Sequence, residues 1–215
     1  MVKPVNAMQP VQILGAILAG GQSSRMGVEK ALMPLRDRPV LAHVIARFQP
    51  QVARLVLNGN GDAARFARFG LQVLADAPAF AGQGPLAGLA AAIAIAAQGG
   101  FSHLACVPCD APFLPVDLVA RLSAVAGNDI IAMATGPRGD EPLFALWPVG
   151  LLPEIANSLV GGRRGVHDLV TSLPHRRVNF APDDFAPDPF LNLNRPQDAQ
   201  LARNLLAKPA ARSDL

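Results

Sequence analysis

Short apolar runs separated by glycine-rich and polar turns dominate the first two thirds of the chain. The run Ile13–Leu18 has no polar position and ends at glycines, which is typical of a parallel strand buried on both faces. After Pro39, apolar residues recur at positions i, i+1, i+4, i+5 and i+8. That spacing predicts an amphipathic helix that ends near Gln49.

The same patterns predict further elements along the rest of the chain. Further strands are predicted over 54–57, 71–74, 103–107, 129–134, 143–147 and 177–180. Further helices are predicted over 62–69, 85–98, 115–126, 151–160, 166–172 and 196–207. Because strands alternate with helices through short turns, we expect an α/β fold, a three-layer sandwich with a mostly parallel, Rossmann-like central sheet.

Length and composition point to one ordered domain. The chain has 215 residues, of which 51% are hydrophobic and 16% charged, so most of it has enough apolar surface to fold. No internal repeat or linker interrupts it, and we predict a single domain over residues 1–215. Residues 1–10 are expected to form a loose lead-in, and the tail 208–215 is expected to be frayed.

The charge pattern narrows the class of ligand. The formal net charge is +3, but the basic residues are scattered and form no dense stripe. This distribution favours small phosphorylated ligands over nucleic acid. The apolar stretch 86–97 is shorter than the ~20 residues that span a bilayer. The run 11–19 leads directly into a glycine turn, as a strand would and a signal peptide would not. We therefore expect a cytoplasmic protein with no membrane partner.

Two residue types that often bind metals receive a structural interpretation. Cys106 and Cys109 have the C-x-x-C spacing of redox and zinc sites, but they lie in a predicted buried strand without a second ligand pair. Reduced, largely buried thiols are the favoured interpretation. The histidines lack a metal-binding spacing and are predicted to be structural or surface residues. They are His43, placed on the polar side of its helix, His103, His167 and His175.

Glycine or polar residues follow each of the first four predicted strands. Gly20 and Gly21 follow the first strand, Asn58 the second, Asp76 the third and Asp110 the fourth. In parallel α/β sheets, ligands bind at the carboxyl ends of the strands. The repetition of this pattern therefore predicts a ligand site at that edge of the sheet.

The longest candidate motif is the segment 18–30, Leu-Ala-Gly-Gly-Gln-Ser-Ser-Arg-Met-Gly-Val-Glu-Lys. Glycines expose backbone N–H groups to a ligand, and Arg25 and Lys30 add the positive charge that suits a triphosphate. The segment matches neither the dinucleotide fingerprint nor the P-loop. The alternative interpretation is an ordinary glycine turn followed by solvated charges.

Asp110 is the candidate metal ligand. A strand-end carboxylate can hold Mg²⁺, which takes one or two protein carboxylates together with substrate phosphates. The alternative is a helix cap or turn residue, and Asp76 has the same two interpretations. A glycine-rich basic loop combined with two strand-end carboxylates describes phosphoryl or nucleotidyl transfer, in which positioning and charge neutralisation provide most of the catalysis.

Several motifs resemble those of one family. The segment LAGGQSSRMGVEKAL strongly resembles the opening motif of the molybdenum cofactor guanylyltransferases. Residues 84–88, Gly-Pro-Leu-Ala-Gly, and 108–113, Pro-Cys-Asp-Ala-Pro-Phe, look like two further family motifs in the same order. Residues 192–196, Asn-Leu-Asn-Arg-Pro, resemble the family's closing segment. The pair Arg163 and Arg164 resembles a stretch that holds the pterin substrate.

The resemblance implies a reaction and a set of roles. GMP would pass from GTP to the terminal phosphate of molybdopterin, giving molybdopterin guanine dinucleotide and pyrophosphate, on a fold of the nucleotide-diphospho-sugar transferase type. The implied nucleotide-binding residues are Leu18, Ala19, Gly20, Gly21, Lys30, Asn58, Asp76 and Asp110. The implied catalytic residues are Arg25, Lys30 and Asp110, with Mg²⁺ on Asp110. The implied acceptor-binding residues are Arg163, Arg164, Asn192 and Asn194.

The resemblance also implies how the chain is divided. Residues 11–135 would bind the nucleotide and residues 136–207 the acceptor. Proteins that deliver or accept the cofactor would be transient partners. Glu141 stands before Pro142 where relatives have other residue types, so the pterin side of the site is expected to differ here.

Three other functions stay open from the residues alone. The nearest is another nucleotidyltransferase on the same fold, acting with a cytidine nucleotide or on a sugar phosphate. The glycine motifs favour the guanylyl branch by resemblance only. The second is a non-catalytic GTP sensor, although the chain keeps Asp110, Arg25 and Lys30. The third is a ligand-free scaffold whose glycines are only turns.

Overall fold

The computed structural model describes residues 12–20, 30–180 and 188–207, so the predicted lead-in and tail lie outside the described residues. The strands are β1 Ile13–Leu18, β2 Pro34–Leu35, β3 Arg38–Pro39, β4 Arg54–Asn58, β5 Gln72–Leu74, β6 His103–Pro108, β7 Ile131–Gly136, β8 Gly139–Pro148 and β9 His175–Asn179. The α-helices are α1 Val40–Phe48, α2 Pro85–Gln98, α3 Leu118–Ser123, α4 Leu152–Val160, α5 Val166–Ser172 and α6 Pro196–Ala207. Short 3₁₀ helices cover Lys30–Leu32, Gln49–Gln51, Ala63–Phe69, Pro78–Phe80 and Val149–Leu151.

Seven strands form one sheet in the order β5-β4-β1-β6-β8-β7-β9. Strand β1 pairs in parallel with both β4 and β6, and β4 pairs in parallel with β5. Strand β8 runs antiparallel between β6 and β7, and β9 is again parallel to β7. The predicted mostly parallel sheet is confirmed, with β8 as its antiparallel member among the described strands.

Helices cover both faces of this sheet. Every residue of β1 is buried, and alternate side chains point to opposite faces: Ile13 and Ile17 pack with α1 and α3, whereas Leu14 packs with α2, α4 and α5. Such two-sided burial explains the uninterrupted apolar run of β1, because neither face meets water. The predicted three-layer sandwich is confirmed.

A third apolar cluster joins residues 33–40 to the C-terminal part of the described chain. It consists of Met33, Leu35, Val40, Leu191, Leu193, Ala199 and Ala202. Through these contacts the segment before α6 and α6 itself pack beside the β2–β3 ribbon. The C-terminal segment therefore lies next to Lys30, although more than 160 residues separate them along the chain.

Most predicted elements match the structure to within a few residues, but one helix and the placement of one side chain differ. The helix expected over 115–126 is reduced to α3, because the N–H groups of Leu118 and Val125 bond to carbonyls three residues back, in single turns. The placement of His43 on the polar side of its helix is wrong. Its imidazole is buried and its Nε2 lies 2.9 Å from the carbonyl oxygen of Leu35, because the β2–β3 ribbon covers this part of α1.

The long strand β8 contains an irregularity that the sequence did not predict. Met133 pairs with Ala145, but the next residue of β7, Ala134, pairs with Glu141, so β8 contributes extra residues at this point. Pro142 lies in the irregular part, and it has no N–H to donate to a regular ladder. The irregularity places Glu141 beside the β7–β8 turn.

Candidate active site

The site lies at the carboxyl ends of the neighbouring parallel strands β4, β1 and β6. The N–H of Ala19 donates to the carbonyl of Asn58 (2.8 Å), and the N–H of Cys109 donates to the carbonyl of Leu18 (3.1 Å). Strand pairing thus continues one residue beyond the strands. These bonds bring Gly20, Asn58 and Asp110 to one edge of the sheet, at a topological switch point where α/β folds bind ligands.

One polar group at this edge is a network of two amides and a carboxylate. The Nδ2 of Asn58 donates to Asp76 Oδ1 (3.0 Å) and to the carbonyl of Leu74 (3.2 Å). The Nδ2 of Asn60 donates to Asp76 Oδ2 (2.7 Å), and Asn60 Oδ1 accepts from the N–H of Asp76 (2.9 Å). Asn58 is 1% exposed and Asp76 8%. Buried polar groups need such partners, and here each carboxylate oxygen has one.

Two glycines leave the space that Asn58 occupies. A Cβ at Gly88, in the first turn of α2, would lie 2.1 Å from Asn58 Oδ1, and a Cβ at Gly20 would lie 3.2 Å from the same atom. Glycine inside a helix costs about 1 kcal/mol relative to alanine. Its presence at position 88 is explained by this contact, because any side chain would displace Asn58. Gly84 has another reason, a positive φ of 84° just before α2 begins.

The second polar group joins three distant segments around a cation. Lys30 Nζ lies 3.3 Å from Asp110 Oδ2 and also donates to Asn194 Oδ1. The N–H of Leu193 donates to the carbonyl of Asp110 (2.9 Å), which fixes the C-terminal segment against the end of β6. A predicted phosphate-binding lysine, a predicted metal-binding carboxylate and a predicted acceptor-binding amide therefore meet in one place.

The chain that carries Asn194 is itself fixed by a helix cap. One carboxylate oxygen of Asp198, in the first turn of α6, accepts from the N–H groups of Asn194 (2.9 Å) and Arg195 (2.8 Å). Backbone N–H groups at a helix start have no intrahelical acceptor, so this reach-back satisfies them. The cap holds Asn194 where its side chain can meet Lys30.

Electrostatics at Asp110 favour a cation beside it. Asp110 is 9% exposed, and burial raises the pKa of its carboxyl, while Lys30 opposes the shift by charge and hydrogen bonding. The net direction is upward, so Lys30 does not fully replace the lost water. The described residues contain no cluster of three or more histidine, cysteine or acidic side chains that could hold a metal ion. This donor set fits a hard divalent cation held by one carboxylate, with phosphates and water as its other ligands.

The remaining predicted site residues are not part of these two groups. Arg163 and Arg164 are exposed on the turn between α4 and α5, and their guanidinium groups form no hydrogen bond or ion pair within the described part of the chain. Asn192 precedes Leu193, and its buried Oδ1 finds no donor among the described residues. The predicted residues Gly21 and Arg25 lie outside the described residues.

Comparison with known proteins identifies the family of this chain. Residues 15–178 match the model of the MobA-like NTP transferase domain. The chain is 41% identical over 200 residues to the molybdenum cofactor guanylyltransferase of Rhodobacter capsulatus, covering 93% of this chain and all of that one. This chain belongs to the molybdenum cofactor guanylyltransferases, within the MobA-like NTP transferase family. It is a nucleotidyltransferase, as the motifs predict.

Solved structures of lower sequence identity share the fold. The molybdopterin-guanine dinucleotide biosynthesis protein A of Archaeoglobus fulgidus superimposes with a TM-score of 0.73 at 21% identity, covering 91% of this chain and 100% of that one. A Mycobacterium tuberculosis protein solved as a complex with manganese has a TM-score of 0.65 at 21% identity, covering 90% of this chain and 98% of that one. At these identities the likeness establishes the α/β architecture alone.

Three residues of this MobA-like site were missed or left without a role by the sequence analysis. Asn60 and Asp198 are absent from the residues predicted from the sequence, and Gly88 is among them only as a glycine of a family motif. The signal for Asn60 is its spacing, since Asn-x-Asn directly after a strand places two amides at one strand end. The pairing of Asn60 with Asp76 joins residues 16 apart and has no local sequence signature.

The two cysteines and His103 occupy the buried or half-buried positions expected of structural residues in this family member. Cys106 and Cys109 are not joined in a disulfide. The first is buried and the second half-buried, and burial raises the pKa of Cys106 to about 12. His103 is buried, with Nδ1 2.9 Å from Ser102 Oγ and Nε2 3.1 Å from the carbonyl of Gly127. A fixed histidine of this kind is structural. Within the described segments, no helix combines the length and apolar character needed to cross a membrane.

Proposed function

We propose that this chain transfers GMP from GTP to the terminal phosphate of molybdopterin, releasing pyrophosphate and forming molybdopterin guanine dinucleotide. Family membership supports the reaction class and the two substrates. The observation that carries the proposal is the meeting of Lys30 and Asp110 at 3.3 Å near the carboxyl end of β1. Lys30 and Asp110 are 80 residues apart in sequence, so it is the fold and not a local turn that brings them together.

The transfer breaks one phosphoanhydride bond and forms another. An oxygen of the acceptor's terminal phosphate attacks the α-phosphorus of GTP, the bond from that phosphorus to the bridging oxygen breaks, and pyrophosphate leaves with its electron pair. Negative charge accumulates on the leaving group, where Lys30 would stabilise it. Asp110 would hold a divalent cation, proposed to be Mg²⁺, which when bound neutralises phosphate charge.

The nucleotide would occupy the edge formed by Leu18, Ala19 and Gly20, beside Asn58. Absence of a side chain at Gly20 lets a ligand approach the backbone, and Asn58 and Asp76 are held ready by their mutual hydrogen bond. Gly21 and Arg25 keep their predicted roles, the first in the nucleotide loop and the second as a charge on the leaving phosphates.

The acceptor side of the proposal rests on the second half of the chain. Asn194 reaches the proposed metal centre, which would place the acceptor phosphate near Lys30 and Asp110. Arg163 and Arg164, together with Asn192, would bind the pterin. We propose that residues 11–135 bind the nucleotide and residues 136–207 the acceptor within one domain, in a cytoplasmic protein that meets cofactor-carrying proteins transiently.

Parallel calorimetric titrations with GTP, CTP and ATP, each with Mg²⁺ and with Mn²⁺, test the nucleotide assignment. A preference for GTP, followed by molybdopterin-dependent release of pyrophosphate, supports the proposal. Preference for CTP would keep the mechanism and change the product. Binding of GTP without any release of pyrophosphate in the presence of molybdopterin would favour a sensor and refute the transfer.

A further inference from the structure

Asn60 and Asp76 are joined by two hydrogen bonds that fix the orientation of the Asn60 side chain. Its Oδ1 accepts from the backbone N–H of Asp76 (2.9 Å), a group that can only donate. Its Nδ2 must therefore face Asp76 Oδ2, at 2.7 Å. No rotation of the amide by 180° is compatible with both contacts, so the backbone of Asp76 sets the direction of this pair.

The same logic continues from Asp76 to Asn58. The Nδ2 of Asn58 faces two atoms that can only accept, the carbonyl oxygen of Leu74 (3.2 Å) and Asp76 Oδ1 (3.0 Å). An ionised Asp76 thus requires the NH₂ group of Asn58 to face inward. Asn58 Oδ1 then faces the space between Gly20 and Gly88, and no donor within the described residues bonds to it.

We propose that Asn60 is a positioning residue for the nucleotide site, acting through Asp76 to present Asn58 Oδ1 as a hydrogen-bond acceptor. The inference deepens the proposed function, because it rests on a nucleotide binding at the Gly20 edge. The ligand group that meets this acceptor must be a donor. A guanosine nucleotide carries such donors on the ribose hydroxyls and on the N1–H and amino group of the base.

An exchange of side chains tests the relay directly. Asn60→Asp places a second carboxylate against Asp76, and Asp76→Asn offers an amide whose NH₂ faces another NH₂. Asn60→Asp breaks the 2.7 Å bond, and Asp76→Asn breaks either this bond or the 3.0 Å bond from Asn58, according to how the new amide is turned. Each change should therefore weaken GTP binding by about 10-fold, the scale of one misdirected hydrogen bond to a buried group. The double variant Asn60→Asp/Asp76→Asn can form every bond with the 2.7 Å pair reversed in direction, so it should bind GTP at least about 3-fold more tightly than either single variant.

Nucleotide analogues add a measurement that a general structural defect would not move. The affinity loss of Asn60→Asp is measured with GTP, 2′-deoxy-GTP, 3′-deoxy-GTP and ITP, which lacks the exocyclic amine. The loss of affinity should shrink selectively for the analogue that lacks the donor facing Asn58. If it shrinks for none of the three analogues, a second variant is measured. The donor is then identified as the N1–H of the base only if Asn58→Asp also lowers the affinity equally for all four nucleotides. Asn204→Asp, on the exposed side of α6, is the matched control and should leave every affinity unchanged.

The outcomes separate this inference from the proposed function. If the wild type binds no nucleoside triphosphate, the proposed function fails. If the wild type binds GTP but Asn60→Asp binds it equally well, or the double variant binds no better than the single ones, the relay is wrong and Asp76 acts by its own charge. Melting temperatures accompany each titration, and should one single variant unfold, the comparison of the double variant with the other single variant still decides.

Discussion

The two polar groups at the carboxyl edge of the sheet differ in how their hydrogen bonds and charges are balanced. In the Asn58–Asn60–Asp76 network, both carboxylate oxygens and the amide NH₂ groups have protein partners at 2.7–3.2 Å. At Asp110 a single lysine opposes the burial of the carboxylate, and the pKa of that carboxyl still moves upward. Among the described residues, the first group lacks a partner at Asn58 Oδ1 alone, whereas the second is electrostatically incomplete.

This difference indicates which group recognises and which group reacts. A network whose members satisfy one another is rigid before the ligand arrives, and rigid polar groups favour selective binding. A buried carboxylate with too little opposing charge gains most when a cation and its phosphates arrive. Variants in the second group should therefore change turnover most, and variants in the first should mainly change nucleotide affinity.

Asp110→Asn should have the largest effect. The amide cannot supply the negative charge that a divalent cation requires, so turnover should fall by about 10³-fold or more. Pyrophosphate release measures this loss. Asp117→Asn, an exposed carboxylate at the start of α3, is the control and should keep wild-type turnover. Near-normal turnover of Asp110→Asn would mean that Asp110 does not bind the metal.

Lys30→Ala should follow, with its effect on triphosphate affinity. Loss of a charge-assisted contact at a largely buried site should weaken GTP binding by about 1–3 kcal/mol. Lys30→Arg keeps the charge and should recover part of the affinity. Calorimetry with GTP and with GMP separates the cause, because an effect on phosphate contacts should be smaller for GMP. An unchanged GTP affinity would return Lys30 to the role of a structural ion pair.

Gly88→Ala breaks the rigid group without touching a charge. The methyl group would lie 2.1 Å from Asn58 Oδ1, so Asn58 must move. Alanine should stabilise the helix by about 1 kcal/mol, but overpacking of this kind costs about 1–3 kcal/mol. We expect GTP affinity to fall by about 10-fold while turnover at saturating GTP changes less.

Gly150→Ala is the matched control for that variant. A Cβ there would meet no atom within 4 Å, and φ at this position is not positive. Its GTP affinity should equal that of the wild type. Equal affinities for the two variants would mean that Asn58 does not read the nucleotide.

Arg163→Ala together with Arg164→Ala tests the acceptor side. Both guanidinium groups are exposed, so stability should change little. The KM for molybdopterin should rise by about 10-fold or less, with GTP affinity unchanged. Arg54→Ala, at the opposite end of the sheet on β4, serves as the control. A loss of GTP affinity in the double variant would move these arginines to the nucleotide side.

The sequence predicted best what depends on local pattern and on strand ends. The helices predicted over 85–98 and 196–207 match the structure in both bounds, because each begins with a proline, which is favoured at the first position of a helix. The strand-end rule brought Gly20, Asn58, Asp76 and Asp110 to one edge, since parallel strands end together. The family resemblance supplied the reaction, which residue spacing alone left open.

Two features that the sequence did not predict depend on contacts between separate elements. His43 is buried by the β2–β3 ribbon, whose Leu35 lies only 8 residues upstream but which has no strong strand pattern. The contact of Asn194 with Lys30 spans 164 residues. Such contacts depend on how elements pack, and no periodicity within one segment encodes them.

The smallest predicted effect repeats the contrast between balanced and unbalanced carboxylates on β8. Arg177 donates to both oxygens of Asp140 (2.8 and 2.9 Å) and lowers the pKa of that carboxyl. At Glu141, by contrast, burial raises the pKa of the carboxyl. Arg138, at 3.5 Å, opposes this shift, and the nearby Asp188 adds to it. Asp140 therefore stabilises the fold above its ordinary pKa of 3.8 and loses this contribution as pH falls through its lowered value. For Glu141 the sign reverses, because the folded state binds its proton more tightly than the unfolded state does.

Thermal melts of Asp140→Asn and Glu141→Gln between pH 3 and pH 7 measure both signs. Relative to the wild type, Asp140→Asn should melt lower near pH 6, by at most about 2–4 °C, with the difference vanishing in acid. Glu141→Gln should gain on the wild type as pH rises through and above 4.5, because only the wild type must then bury a charge. Differences of the same sign in both variants would mean that Arg138 balances Glu141 as fully as Arg177 balances Asp140.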